Sequence, residues 1–414
     1  DERYPGLGGS IRGPDSGGED LSLNGKRGLS SAQLPSGARN QEHRKDSKNG
    51  KDTMKILITG NMGYVGPSVV RRLRQTYPQA TLVGLDAGYF AHCLTATRHL
   101  PECRVDLQHF ADVRQPPASA LEGTDAIVHL AAISNDPMGN TYEEVTLEIN
   151  HQASVQLAKM AKVAGVGSFV FASSCSMYGS ADDSPRKESS SLNPLTAYAR
   201  SKVLTEAELG EMADDQFKVT SLRFSTACGM SDRLRLDLVV NDFVACAVAS
   251  AEITILSDGT PWRPLIHVDD MARAIDWAIQ RERSAGGDFL AVNVGSSGWN
   301  YQVRELAEAV AEVIPGVTVS VNENAAPDKR SYKVDFSLFE QLAPDHQPKV
   351  DLLAAIRGLK EGLEAMGFDD PDFRNSTLMR LNVLTQLRDQ HLLDGDLRWT
   401  EKPPLGGASN EEDG

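Results

Sequence analysis

From about residue 54 the chain alternates short apolar runs with longer amphipathic stretches. Ile56, Leu57 and Ile58 form an apolar run too short for a helix, which fits a strand buried on both faces. The same reading predicts strands over 55–59, 81–85, 103–106, 125–130, 168–172, 218–222 and 289–294. Apolar positions at helical spacing predict helices near 66–76, 142–164, 197–213, 237–249, 270–281, 302–313, 351–366 and 376–390. Alternation of this kind implies an α/β fold, a doubly wound parallel sheet covered by helices on both faces. After residue 236 strands become sparse and loops lengthen, which suits a smaller lobe that covers substrate. No internal repeat is visible.

The ends read differently. Residues 1–53 are rich in Gly, Ser, Asn, Lys and Arg and lack apolar periodicity, so they are expected to be disordered. They lack the apolar stretch of a secretory signal, and Asp1, Glu2, Asp15, Glu19 and Asp20 argue against a transit peptide. Met54 is the expected natural start, and the tail after residue 400 is expected to be disordered. The implied units are 1–53, a nucleotide-binding domain over 54–235, a mainly substrate-binding lobe over 236–368, and an extension over 369–414.

Composition narrows the class. Of 414 residues, 40% are hydrophobic and 24% charged, an ordinary globular balance with enough chain for a large core. A net charge of −15 with no basic patch argues against nucleic acid as the main ligand. No apolar run approaches the roughly 20 residues of a membrane span, so no membrane partner is expected. Cys93, Cys103, Cys175, Cys228 and Cys246 form no C-x-x-C pair, which predicts reduced thiols, a cytoplasmic location and no metal site.

The stretch KILITGNMGYVG joins the first strand to the first helix through Gly60, Gly63 and Gly66, with Pro67 in the helix's first turn. The first glycine allows a tight turn, the second a close approach to a pyrophosphate, and the third close packing of helix on strand. Free N–H groups and the positive helix end would hold the anion. A second strand, TLVGLD, ends in Asp86, where an acid accepts the ribose hydroxyls and repels a 2′-phosphate. NAD is therefore expected rather than NADP. Asp112, after the third strand, reads either as an acceptor for an adenine amino group or as a turn residue. In DAIVHLAAIS the small Ala131 and Ala132 let a cofactor pass over the strand end, and His129 reads as a satisfied core histidine.

The fifth strand ends in Ser173, Ser174, Cys175, Ser176, Met177 and Tyr178. So dense a polar cluster after a buried strand points to a site. Tyr198 and Lys202 follow at i and i+4, on one face of a helix. An ammonium beside the tyrosine favours its phenolate, which can take an alcohol proton while hydride leaves the same carbon.

Taken in order, GNMGYVG, Asp86, DAIVHLAA, SSCSMYG, NPLTAYARSK and RPLIHVDDMARA make the chain resemble the NAD-dependent epimerase/dehydratase family, extended short-chain dehydrogenases/reductases that modify nucleotide sugars. The resemblance covers about residues 54–368 and implies a Rossmann-type sheet with a smaller C-terminal lobe. It makes Ser174 the catalytic hydroxyl, Tyr198 the base and Lys202 its partner. It lines the NAD site with Gly60, Gly63, Tyr64, Val65, Gly66, Asp86, Asp112, Val113, Leu130, Ala131, Ala132, Ser173, Tyr198, Lys202, Phe224 and Thr226. It places Ser134, Asn193, Arg263 and Arg330 at the substrate, the two arginines toward its diphosphate.

Departures from the family pattern bear on the reaction. Where sugar 4,6-dehydratases carry an acidic pair, this chain has Cys175 and Ser176; serine cannot act as a glutamate base, so ordinary 4,6-dehydration is not expected. Cys175 stands beside the reacting centre as a candidate proton carrier, set against a space-filling role. The family's Y-G-P reads Cys228-Gly229-Met230, followed by Arg233 and Arg235, and an expected arginine is Ala326. The helix in FRNSTLMRLNVLTQLRDQ is expected to cover the core or a partner subunit. The expectation is an NAD-dependent nucleotide-sugar epimerase, as a homodimer, working through a transient ketone. Its rivals are a ketoreductase, dehydrogenase or other dehydratase or decarboxylase of the same family, and a non-catalytic NAD-binding scaffold.

Overall fold

Seven strands lie parallel because each apolar run is followed by a helix that carries the chain back across the sheet. They are β1 (Lys55–Thr59), β2 (Thr81–Asp86), β3 (Leu107–Phe110), β4 (Ala126–His129), β5 (Ser168–Ser174), β6 (Lys218–Phe224) and the strand Phe289–Val294. Their spatial order is β3-β2-β1-β4-β5-β6, with Phe289–Val294 outermost beside β6. Every pairing is parallel, and the register sets Ile58 between Gly84 and Val128. The computed structural model describes residues 54–95, 97–180, 184–322, 325 and 331–400. The disorder expected for residues 1–53 and beyond 400, and the positions of Ala326 and Arg330, lie outside the described residues.

The first helix, α1 (Gly66–Thr76), starts with Pro67 in its first turn and buries Val69, Val70 and Leu73. Burial of each such side chain contributes about 1.5–3 kcal/mol. They join one core cluster with Met271, Ala274 and Ile275 of the helix Val268–Gln280. Arg72 reaches 2.8 Å to the buried Asp276 carboxylate on that helix.

Two elements differ from expectation. The third strand lies at 107–110 and not 103–106, because Pro101–Arg104 forms a 3-10 turn. As an edge strand it leaves Leu107 and Phe110 exposed, so there is no inward apolar run to read. The stretch expected to form one helix over 142–164 is Glu143–Leu147, a π turn at Glu148–Gln152, and Ala153–Val163, preceded by an unexpected short helix Asp136–Thr141. The π turn brings the Asn150 amide to both backbone groups of Ile133, at 2.8 and 2.9 Å, which fixes the chain just beyond β4.

After β6, strands Thr226–Cys228, Trp262–His267 and Asn300–Gln302 form a small sheet, and Glu252–Ile255 pairs with Thr318–Val321. Helices Val239–Ser250, Val303–Val313 and Leu352–Ala365 enclose a second core around Phe243, Leu306, Ile356 and Leu359. The helix Arg380–Asp389 then returns to the first half of the chain. Its Val383, Leu384 and Leu387, with Leu393 and Leu397, share a core cluster with Leu57, Val83 and Leu85. Of the two expected roles for this segment, the one visible here is covering its own core. Among the described residues no helix is long and apolar enough to cross a membrane.

Candidate active site

The strand order reverses between β1 and β4, and open α/β sheets form their crevice outside the carboxyl ends at such a point. Here a continuous cleft of about 750 Å³ runs from Asp86 past Tyr198 to Val303. Gly60 sits at φ +72°, and a Cβ on it would lie 2.6 Å from the Ala131 nitrogen. A Cβ on Gly66 would lie 2.1 Å from the Asn61 oxygen. Both positions admit only glycine, which keeps the turn low enough for a ligand to lie across it. The Asp86 carboxylate accepts from the Met62 and Gly88 nitrogens at 2.9 and 2.8 Å. Burial nevertheless pushes its pKa up, so a ribose diol would supply donors that water no longer provides. Asp112 also lines the cleft, gripped by the Arg114 guanidinium. This cradle fits NAD.

At the other end, β5 delivers Ser174 and the helix Ala197–Met212 delivers Tyr198 and Lys202. Thr196 caps that helix and also donates to Asp136 at 2.7 Å. Burial raises the Tyr198 phenol, while a hydrogen bond with Ser174 and the charge of Arg235 pull it back. Lys202 lies 5.6 Å from the Tyr198 ring and donates to the Ala172 carbonyl at 2.7 Å. Burial lowers its pKa to about 7. Burial opposes the charged form of both groups.

Gly63, Tyr64, Val65, Val113, Leu130, Ala131, Ala132, Ser134, Ser173, Phe224, Thr226 and Arg263 line the same cleft. Two residues named from the sequence do not. Cys175 turns inward, fully buried, with its thiol 3.1 Å from the Arg223 carbonyl and packed with Tyr178, Tyr332 and Phe336. Burial raises its pKa, which keeps it a neutral thiol. Asn193 is exposed and contributes its backbone, donating to the Met177 carbonyl at 2.9 Å. His129 is a core residue, 2.7 Å from both Thr59 and Ser154 hydroxyls, and burial lowers its pKa to about 3.

Other cleft residues were not singled out as site residues. Arg235 forks onto Asp237 at 2.5 and 2.7 Å and reaches Ser134 at 2.8 Å. Ser176 lines the cleft with a buried hydroxyl that has no hydrogen-bond partner among the described residues. Arg374, Met379 and Arg380, from the C-terminal segment, line it as well. The density of arginine in RLRLD is the one signal that pointed this way. Nothing in a lone arginine distinguishes a buried side chain from a surface one.

Comparison with known proteins agrees with this geometry. UDP-glucuronic acid decarboxylase 3 of Arabidopsis thaliana is 27% identical over 347 residues, covering 82% of this chain and 93% of its own. UDP-glucose 4-epimerase of Streptomyces lividans is 26% identical over 275 residues, 63% of this chain and 80% of that protein. The solved structure of MoeE5 in complex with UDP-glucuronic acid and NAD superposes with a TM-score of 0.64 at 25% identity, covering 75% of this chain and 99% of that one. The family model described as the NAD dependent epimerase/dehydratase family matches residues 56–295. With its glycine cradle, its acid at Asp86 and its Ser174, Tyr198 and Lys202 gathered at one cleft, the chain belongs to that family and is an NAD-dependent enzyme.

Proposed function

We propose that the protein is an epimerase of a nucleotide-diphosphate sugar, working through a transient ketone in the sugar ring. The observation that carries this reading is the state of the carboxylates around the cleft. Asp86 is held by two backbone nitrogens, Asp112 by Arg114, Asp136 by Thr196, Asp237 by Arg235 and Asp242 by Arg374. Ser176 occupies the position where the resemblance expects a dehydratase acid. Proton movement therefore falls to Tyr198, with no free acid–base carboxylate among the described cleft residues to expel water.

In this mechanism the Tyr198 phenolate removes the proton of a ring hydroxyl, and Ser174 donates to the same oxygen as it becomes a carbonyl. NAD, held by the glycine turn and Asp86, would accept the hydride from the carbon that bears that oxygen. Lys202 stabilises the phenolate from below. The keto sugar turns over within the cleft so that its other face meets the hydride the reduced cofactor would return to the same carbon, and Tyr198 gives its proton back to the oxygen of the inverted centre. The finer assignment also includes the homodimer and cytoplasmic location expected from the sequence.

The test is incubation of the purified protein with UDP-glucose and UDP-glucuronic acid, followed by chromatography and mass spectrometry. An epimer of unchanged mass, formed without net NADH, is the expected result. Loss of carbon dioxide or water, or stoichiometric NADH release, would replace the epimerase reading with a decarboxylase, dehydratase or dehydrogenase.

A further inference from the structure

Five buried or cleft-facing arginines meet a carboxylate: Arg114 meets Asp112 and Glu148, Arg223 meets Glu206, Arg233 meets Glu102, Arg235 meets Asp237 and Arg374 meets Asp242. Arg380 lines the same cleft and is 2% exposed, yet no carboxylate among the described residues pairs with it. Its Nη2 donates to the carbonyls of Arg233 and Leu234 at 2.8 and 3.3 Å. Its Nη1 is buried with no hydrogen-bond partner assigned to it among the described residues, and the Cys93 thiol bonds the same guanidinium. The guanidinium lies 4.7 Å over the Phe90 ring. Two carbonyls, a ring face, the Cys93 thiol and the charge of Asp237 offset only part of the cost of burial, which still lowers the Arg380 pKa to about 10. The cleft is where a compensating anion can enter.

The position of Arg380 says which anion. Phe90, beneath the guanidinium, lies in the loop that follows Asp86, and both line the cleft. The Arg233 carbonyl that Arg380 grips belongs to a residue whose nitrogen is bound by the Ser231 hydroxyl at 3.2 Å. Ser231 in turn donates to the Tyr64 carbonyl of the glycine turn at 2.6 Å. Arg380 is thus tied to the turn where a dinucleotide's pyrophosphate rests, at a helix N-terminus. The same segment docks over the adenosine end. The Asp396 carbonyl accepts from Arg114 at 2.7 Å, Trp399 donates to the Ala87 carbonyl at 2.6 Å, and its ring sits 5.9 Å from that of Tyr89.

We propose that Arg380 is a diphosphate-binding residue of the dinucleotide site, delivered by a C-terminal segment that lies beyond the matched family region. In this proposal Nη1 is the group offered to the pyrophosphate, while Nη2 stays on the Arg233 and Leu234 carbonyls. The inference rests on the NAD site and not on which sugar reaction follows, so an unexpected product would leave it standing.

The test compares the full chain with Arg380→Gln, which keeps a donor but removes the charge, and with Arg380→Met. Calorimetry with ADP-ribose, adenosine and UDP separates the possible contacts, and thermal melting without ligand reports the fold. ADP-ribose affinity is expected to fall at least about tenfold in both variants, or 1.4 kcal/mol. Adenosine and UDP affinities are expected to stay within about twofold, and the ligand-free melting temperature to hold or rise as an unpaired charge is removed. Arg380→Lys is expected to recover most of the lost affinity. ADP-ribose binding unchanged in a folded variant overturns the proposal, as does an equal loss for adenosine, which would mark a packing role. UDP weakened with ADP-ribose untouched moves the contact to the sugar nucleotide and refutes the dinucleotide assignment. A lysine variant as weak as the glutamine variant refutes the role of charge.

Discussion

The two ends of the cleft are built on different principles. At the end where we propose hydride transfer, the hydride end, Tyr198 and Lys202 stand four residues apart on one helix, with Ser174 at the tip of a neighbouring strand. At the end proposed for adenosine, the contacts join residues far apart in sequence: Arg114 with Asp396 and Tyr89 with Leu397, separations of 282 and 308 residues. The hydride end holds ionisable groups in burial that opposes their charge, which suits proton transfer. The adenosine end is a clasp of backbone carbonyls, rings and arginines, which suits retention. Rate should therefore be set at one end and affinity at the other, and substitutions can test how separable the two are.

The largest effect is expected from Tyr198→Phe. The ring still packs, while the ionisable oxygen is lost, so kcat should fall about 10²- to 10⁴-fold, or roughly 3–5 kcal/mol in the barrier. Single-turnover NADH absorbance and NAD titration would measure the two ends separately. NAD affinity should not change; a comparable loss of affinity would break the comparison.

Lys202→Met comes next, with turnover expected to fall about 10- to 100-fold and NAD to bind more weakly. It also carries a pH signature. Burial lowers the folded-state pKa of Lys202 from 10.5 to about 7, so between those values the unfolded chain binds more protons than the folded one. Stability therefore rises with pH across that window, and the cost of the buried ammonium is greatest below it. Ligand-free Lys202→Met should melt higher than the parent near pH 6 and lose that advantage as pH climbs toward 10. A variant that melts lower at pH 6 would mean that the Ala172 bond outweighs the desolvation.

The same contrast governs what could be read in the sequence. Local features were legible: α1 begins and ends where Pro67 and the apolar spacing put it, and the i, i+4 pair of Tyr198 and Lys202 faces the cleft. The glycine turn was legible because its steric demand is absolute. Non-local features were not. Glu252–Ile255 and Thr318–Val321 are four-residue strands too short to show a period, and each finds its partner only in the folded chain. Arg380 reads as a surface charge until the fold buries it. The direction of Cys175 was hidden because strand alternation stops at Ser174, where a 3-10 turn begins.

Cys175→Ala should have the smallest effect, and it marks how sharply the hydride end is bounded. Cys175 follows Ser174 directly, yet its thiol points away from the cleft, onto the Arg223 carbonyl and among Tyr178, Tyr332 and Phe336. The burial that raises its pKa also denies it the thiolate form that proton transfer or nucleophilic attack needs. Truncation removes one sulfur and one weak hydrogen bond, so stability should drop by about 1–2 kcal/mol. Turnover should stay within about twofold, and so should NAD affinity. Cys175→Ser, whose hydroxyl can still donate to Arg223, should also keep turnover. Thiol-directed reagents should label Cys103, the exposed cysteine, well before Cys175. If the folded alanine variant instead lost ten-fold or more in kcat with its pH profile moved, the thiol would take part in the proton path, and the hydride end would extend one residue further than the cleft-lining groups suggest.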